Sequence, residues 1–461
     1  MSVDALLDTL RTELSDNAVL VDEQAITKHS SDWSGETAVV PPRAVIRPQS
    51  TSEVSLLLKY CHQAGQAIAI QGGLTGLSAG AVPEQNELAV SLERMSGIEE
   101  IDTDAMTMTV LSGTPLQTIQ EAAAAADLSF PLDLGARGSC SIGGNVSTNA
   151  GGNQVIRFGM TRALVLGLEA VLADGTVISS LNKMLKNNAG YDLKHLFIGT
   201  EGTLGVVTRV VLRLYPRLSS RCSALCALNS HTDVVSLLQR IGTEMGGLLS
   251  SFELMWANYY DLVIDQVTHL QSPFDEQHPF YVLMEIEGSN QEQDSERFQT
   301  MLESALEGGL LIDASIAQSE KESTAFWQIR DGIGEILPDL APCANFDISV
   351  PISQMQEFLE KANARLQQVF PTVKILIFGH LGDSNMHYIA RTGRKQDKEK
   401  IYDIIYELTG EHQGSVSAEH GIGKMKRGYL KHSRNEVELQ LMRQLKNTFD
   451  PLGILNPNRV I

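Results

Sequence analysis

The C-terminal half carries residues whose types suit metal-assisted proton transfer. The run VKILIFGH ends in His380, Leu381-Gly382-Asp383-Ser384-Asn385 follows, and MHYIAR places His387 early in a second β-rich run. Gly-Asp-Ser-Asn is turn chemistry, so the two histidines flank a hairpin loop and can face one another. Each alone reads more readily as a satisfied core or surface histidine. A third element tips the balance. In Ser415-Val416-Ser417-Ala418-Glu419-His420-Gly421 a Glu-His pair follows an apolar approach strand and precedes a glycine loop, an arrangement costly to bury unless both groups have partners. His380, His387 and Glu419 make an N2O donor set with open coordination positions, which suits catalytic zinc better than a closed structural site. His420 then remains as a base.

A second kind of chemistry is written in glycine. Gln71-Gly72-Gly73-Leu74-Thr75-Gly76-Leu77-Ser78-Ala79-Gly80 directly follows the run AIAI. Glycines let successive backbone N–H groups converge on an anion, and the Thr75 and Ser78 hydroxyls add donors. That describes a diphosphate cradle. It is neither a Walker loop nor a GxGxxG fingerprint, and alone it would serve equally as a turn. A second cluster, Ile142-Gly143-Gly144-Asn145-Val146-Ser147-Thr148-Asn149-Ala150-Gly151-Gly152, follows Pro131-Leu132-Asp133. It combines little side-chain bulk with many hydrogen-bonding groups, as expected where backbone approaches a large planar ligand. A third, Lys186-Asn187-Asn188-Ala189-Gly190-Tyr191-Asp192-Leu193, leads into Phe197-Ile198-Gly199-Thr200-Glu201-Gly202-Thr203-Leu204-Gly205. Three clusters in one region outweigh the simple-loop reading.

The elements that must position these residues fall into two halves. From about residue 44 to 216, short β-rich runs alternate with helical stretches, including AVIRP, the helix TSEVSLLLKYCHQAG and the pair around LEAVLADGTVIS, where Asp174-Gly175 is the hairpin turn. The helix LQTIQEAAAAADL separates two lobes. Beyond Leu214-Tyr215-Pro216 the glycine clusters thin out and longer helices alternate with strands such as PFYVLMEIEG, which puts a boundary near Arg217. The expected fold class is α+β. An N-terminal helical segment covers residues 1–37, a two-lobed ligand-binding domain 38–217, and a substrate or cap domain 218–461 with an antiparallel sheet, the candidate metal site and a C-terminal helical segment that returns to the ligand of the first domain.

The glycine clusters, in this order and ending in VVTRVVLRLYP, resemble the FAD-binding domain of the vanillyl-alcohol oxidase type, also called the PCMH fold. The resemblance covers residues 38–217. It implies that Gly72, Gly73, Leu74, Thr75, Gly76, Leu77 and Ser78 hold the pyrophosphate. Pro131, Asp133, Gly143, Gly144, Asn145, Thr148 and Asn149 would line the flavin and adenosine, and Gly202 and Val207 complete the cradle. Some members tether the flavin through a histidine where this chain has Leu74, so FAD is expected to bind non-covalently. GHLGDSNMH, SAEHGIGK and FDPLGILNPNR extend the likeness to the FAD-linked D-2-hydroxyacid dehydrogenases, the group containing D-lactate dehydrogenase, D-2-hydroxyglutarate dehydrogenase and the glycolate oxidase flavin subunit. It implies that His380, His387 and Glu419 ligate a divalent metal, with zinc expected, that His420 is the catalytic base, and that Asn456 lies near the flavin. Phe326-Trp327-Gln328-Ile329-Arg330-Asp331 matches the family's tryptophan-arginine helix, implying that Arg330 clamps the substrate carboxylate, with Asn385 a further substrate contact. Without the resemblance Arg330 would read as a surface arginine paired with Asp331 or Glu335.

Three positions depart from the D-2-hydroxyglutarate branch. Gly334, Asn345 and Ile389 stand where that branch has a small hydroxylated residue, a lysine and an asparagine. A second substrate carboxylate would lose about 1–3 kcal/mol for each charge-assisted hydrogen bond not formed. The expected substrate is therefore a D-lactate-like monocarboxylate. D-2-hydroxyglutarate remains the alternative, because Arg391, Arg394, Lys424 or Lys426 could supply the missing charge. An oxygen-using oxidase, a metal-dependent hydrolase and a non-catalytic flavin-binding subunit are the rival readings.

Composition narrows the partners. A chain of 461 residues with 43% hydrophobic and 20% charged residues has material for two sizeable cores. A net charge of −20 argues against nucleic acid. No apolar run reaches membrane-spanning length, and the amphipathic start MSVDALLDTLRTELSD lacks a signal peptide's basic, apolar pattern, so a cytoplasmic location is expected. The five cysteines are scattered and read as reduced thiols. No haem, cluster or NAD motif is present, so electrons must pass to an external acceptor such as a quinone, cytochrome or electron-transfer flavoprotein. A homodimer is a compatible assembly.

Overall fold

The computed structural model describes residues 1–461, which divide into two compact units. The first comprises Met1–Gly152, Gly159–Arg217 and Glu419–Ile461; the second comprises Asn153–Phe158 and Leu218–Ala418.

The two expected lobes of the first unit are two sheets. In one, Val45–Ile46 and Ile68–Gln71 both pair parallel to Leu88–Ser91, and Val19–Leu20 closes an edge antiparallel to Val45–Ile46. Parallel strands need a crossover, here the helix Thr51–Ala64. It starts where the Ser50 side chain accepts from Glu53 N–H, and ends at Gly65, whose φ of 63° suits glycine. Its Val54, Leu57, Leu58 and Cys61 share one core with Leu6, Leu7 and Leu10 of the helix Val3–Glu13. The N-terminal segment is therefore built into this unit rather than standing apart. The other sheet is antiparallel, in the order Ile98–Asp102, Thr107–Leu111, Val206–Arg213, Val165–Val171, Val177–Ser180. Its last hairpin turns at Asp174-Gly175, where Asp174 Oδ1 accepts from Thr176 N–H at 2.8 Å.

The second unit is built on a seven-stranded antiparallel sheet in the order Asp313–Ile316, Ser220–Leu228, Phe280–Gly288, Leu249–Trp256, Lys374–His380, Asn385–Arg391, Ala344–Ser349. Helices Ala257–Gln266, Glu320–Asp331 and Ile333–Leu340 share a core with its central strands, through Tyr259, Phe326, Ile329, Ile336 and Phe378. Residues 153–158 leave the first unit's sequence to join this one. Arg157 Nη1 donates to Leu248 O at 3.2 Å and to Glu287 O at 2.8 Å.

The compact units differ from the expected 218–461 domain at its C-terminal end, because the chain from Glu419 onward belongs to the first unit. Hydrogen bonds explain the difference. Asn456 accepts from Ile70 N–H at 2.7 Å and donates to Glu201 O at 2.6 Å, and Arg459 makes a buried ion pair with Glu87.

Candidate active site

His380 ends one strand of the central hairpin, and the one-turn 3-10 helix Leu381–Asp383 leads into Asn385–Arg391. Ser384 adopts φ 70° in this turn. The ring centres of His380 and His387 lie 5.5 Å apart, nearly perpendicular. The two imidazoles therefore do face one another, as the spacing suggested. Asp347 lies directly opposite His387 in the antiparallel pairing and is 1% exposed. Directly opposed residues share a sheet face, so Asp347 adds a carboxylate beside His387 that the sequence reading did not single out. Asn385 Oδ1 is buried without a hydrogen-bond partner.

The other strand neighbour of His380 is Leu249–Trp256, whose Glu253 stands opposite it. His380 Nδ1 lies 2.7 Å from Glu253 Oε1, and its Nε2 lies 3.0 Å from Arg330 Nη2. Arg330 reaches this point from the helix Glu320–Asp331. Its Nε donates to Glu253 Oε2 at 2.8 Å and its Nη1 to Asp331 Oδ1 at 3.1 Å. Arg330 is thus a buried ion-pair residue, and three of its five N–H donors are committed to these contacts, leaving two for a ligand. Burial works against both charges, yet each outweighs it for the other. His380 and Arg330 hold the Glu253 carboxyl below its ordinary value, and Glu253 and Asp331 hold the guanidinium above its own. Ile389 is 4% exposed in the core with Leu376 and Phe378. Its apolar character serves packing. Asn345 is exposed and Gly334 has nothing within 4 Å of an added Cβ.

In the first unit the glycine clusters meet each other. A Cβ on Gly73 would lie 1.9 Å from Ser139 O, and one on Gly143 would lie 2.6 Å from Ser112 Cβ. The glycines thus permit close approach of protein backbone to protein backbone. The second cluster is a short helix, Ile142–Thr148, rather than a loop, and Asn149 ends it in the left-handed region. Thr148 Oγ1 donates to Gly144 O at 3.0 Å, and Asn149 Oδ1 accepts from Arg162 N–H at 2.9 Å. Leu74 has φ 58° and its carbonyl accepts from Trp33 N–H. Thr75 is half-buried, while Gly76 and Leu77 are exposed. Pro131 is buried, Asp133 pairs with Arg137 at 2.9 Å, and Val207 is buried in its strand. Gly202 has φ 72°, with Asn456 Nδ2 3.0 Å from where its Cβ would be.

The His420 loop is anchored to the same glycine segments. Ser78 Oγ donates to His420 O at 3.2 Å and to Gly421 O at 3.0 Å. Glu201, to which the sequence pattern assigns no role, accepts from Ile422 N–H at 2.6 Å and Gly423 N–H at 2.8 Å. Burial raises its carboxyl above the ordinary range despite those two bonds. Glu419 Oε2 accepts from Gly152 N–H at 3.0 Å. The approach to this loop makes a single bridge, Ser415 to Ser349, instead of the expected strand.

These residues fit the groups expected of them. Asn145 Oδ1 and Ser141 Oγ are buried beside the glycine clusters with no hydrogen-bond partner, which suits a ligand as rich in donors and acceptors as FAD. In the second unit His387 and Asp347, opposed on adjacent strands, offer a nitrogen and an oxygen of the kind zinc takes, while both ring nitrogens of His380 are engaged, by Glu253 and Arg330.

Fold and site together define a two-domain flavoprotein of the PCMH type. Residues 42–180 match the family described as "FAD binding domain", and residues 217–460 match "FAD linked oxidases, C-terminal domain". Among curated relatives, the mitochondrial D-2-hydroxyglutarate dehydrogenase of Arabidopsis thaliana is 37% identical over 450 residues, covering 97% of this chain and 80% of the relative. A putative mitochondrial D-lactate dehydrogenase of Schizosaccharomyces pombe is 36% identical over 90% of this chain and 81% of the relative. Among solved structures, p-cresol methylhydroxylase with substrate bound superposes with a TM-score of 0.78 at 15% identity, covering 99% of this chain and 96% of that one, a likeness of fold. The chain belongs to the FAD-linked D-2-hydroxyacid dehydrogenase family, and it is an FAD-dependent oxidoreductase acting on a CH–OH group. No helix is long and apolar enough to cross a membrane.

Proposed function

We propose that this protein oxidises a D-2-hydroxy acid to the corresponding 2-oxo acid and passes the electrons to an external acceptor. The observation that carries the reading is the second unit's cluster of His380, His387 and Arg330, which places two imidazoles and a buried guanidinium together. When bound, FAD would supply a hydride acceptor, and a divalent metal, with zinc expected, would supply Lewis acidity at the substrate hydroxyl. By the family resemblance His380, His387 and Glu419 would hold the metal, and Asp347, opposite His387 in the sheet, is a further carboxylate. His420 takes the hydroxyl proton. The two uncommitted N–H groups of Arg330 hold the substrate carboxylate, and Asn385 Oδ1 offers an acceptor. Gly72, Gly73, Thr75, Gly76 and Ser78 cradle the pyrophosphate, and Leu74 offers the flavin no nucleophile, so binding is non-covalent.

The side chain of the substrate separates two readings. Gly334 and Asn345 favour a D-lactate-like monocarboxylate. D-2-hydroxyglutarate is the second reading, favoured because Ile389, which pointed to an apolar substrate, packs in the core and carries no information about substrate charge, and because the Arabidopsis relative is named for that acid. Anaerobic bleaching of the flavin by a panel of D- and L-2-hydroxy acids decides between them. His420→Ala should retain FAD and lose bleaching, and chelation should reproduce that loss. Unchanged bleaching in both cases would refute the mechanism.

A further inference from the structure

Both oxygens of one buried carboxylate are divided between two groups of the proposed reaction. Glu253 is 1% exposed, with Oε1 2.7 Å from His380 Nδ1 and Oε2 2.8 Å from Arg330 Nε. Arg330 Nη2, 3.0 Å from His380 Nε2, closes the triangle. A guanidinium carries only donors, so Nη2 donates and Nε2 accepts. A ring nitrogen that accepts carries no proton, and the single proton of the neutral imidazole is then on Nδ1, facing Glu253. The register of the sheet delivers this contact, since Glu253 and His380 are directly opposed on adjacent strands.

We propose that Glu253 is the positioning residue of the site. It holds His380 in the Nδ1–H tautomer, so that Nε2, which here accepts from Arg330 Nη2, is the nitrogen a metal would take over, and with its other oxygen it fixes the guanidinium plane of Arg330. One carboxylate therefore sets metal affinity and substrate-carboxylate affinity together. The inference rests on the metal-assisted reading above.

The test uses full-length, FAD-containing protein stripped of metal and titrated with Zn2+ alone against a fluorescent zinc indicator. Glu253→Gln should weaken zinc binding roughly 10- to 100-fold, the usual consequence of removing a ligand's outer hydrogen-bond partner. It should also raise KM more than it lowers kcat when zinc is restored to saturation, with FAD content unchanged. Glu253→Asp, which keeps the charge, should recover part of both losses. Equal zinc affinity in the wild type and Glu253→Gln overturns the proposal, while a wild type that takes up no zinc overturns the metal reading instead. A measurement on the unsubstituted, metal-free protein covers the case in which Glu253→Gln fails to fold. Long-range proton–nitrogen NMR correlations of labelled histidine should show the Nδ1–H pattern for His380, assigned by its disappearance in His380→Asn. An Nε2–H pattern there overturns the tautomer assignment.

Discussion

Arg459, two residues from the end of the chain, offers the sharpest test of how the first unit is held together. Its guanidinium is buried against Glu87, with Nη2 2.8 Å from Glu87 Oε2 and Nη1 on Oε1. The remaining donors reach Gly80 O at 3.1 Å, Pro457 O at 2.7 Å and Val82 O at 2.7 Å, so all five N–H groups are used. Arg459→Ala would leave a buried carboxylate and three carbonyls without these donors. Removing one partner of a buried pair costs about 3–5 kcal/mol. At about 2–4 °C per kcal/mol for a unit of this size, the expected loss is roughly 6–20 °C in melting temperature. Flavin fluorescence released on heating follows the first unit directly. FAD affinity should fall too, because Gly80 and Val82 adjoin the first glycine loop and Asn456 ties the same segment to Ile70. The cost arises from an uncompensated buried charge, so Arg459→Met combined with Glu87→Leu should be less destabilised than either single change. A single variant melting within about 2 °C of wild type, or a double variant showing the sum of both losses, would refute it.

Gly73→Ala places a methyl group 1.9 Å from Ser139 O and should yield protein without FAD, whereas Gly135→Ala, with nothing within 4 Å, should purify yellow. Acid precipitation of the wild type should release all its flavin to the supernatant, since Leu74 cannot form the tether; colour in the pellet would contradict this. Burial lowers the His29 pKa below its ordinary 6.5, against the opposing Gln71 hydrogen bond. The unfolded chain then binds more protons than the folded one, so this contribution is complete above 6.5 and declines as pH falls from there towards the lower folded value. Melting temperatures recorded across that window should drop less steeply in His29→Gln than in wild type.

Much of the flavin domain was legible from local chemistry. Glycine at 73 and 143 marked close approach, which is made to the protein's own Ser139 and Ser112, and Asp174-Gly175 marked its hairpin, because both are consequences of what a single residue's backbone can do. His380 and His387 were legible for the same reason, since a short turn between two strands fixes which side chains can meet. The second cluster was less so. Its glycines and small polar residues gave no helical period, yet residues 142–148 form a helix because their neighbours hold them there.

What the sequence determined alone was therefore the list of reactive groups and the absence of a nucleophile at Leu74. Tertiary structure decided their partners. Glu253 reaches His380 across 127 residues, Glu201 reaches Ile422 across 221, and Glu87 reaches Arg459 across 372. It also moved residues 153–158 into the second unit and the chain from Glu419 into the first. Strand order and chain return are set by which apolar faces bury together over the whole molecule. No local window carries that information, and buried charges such as Glu253 become intelligible only once the groups that neutralise them are in place.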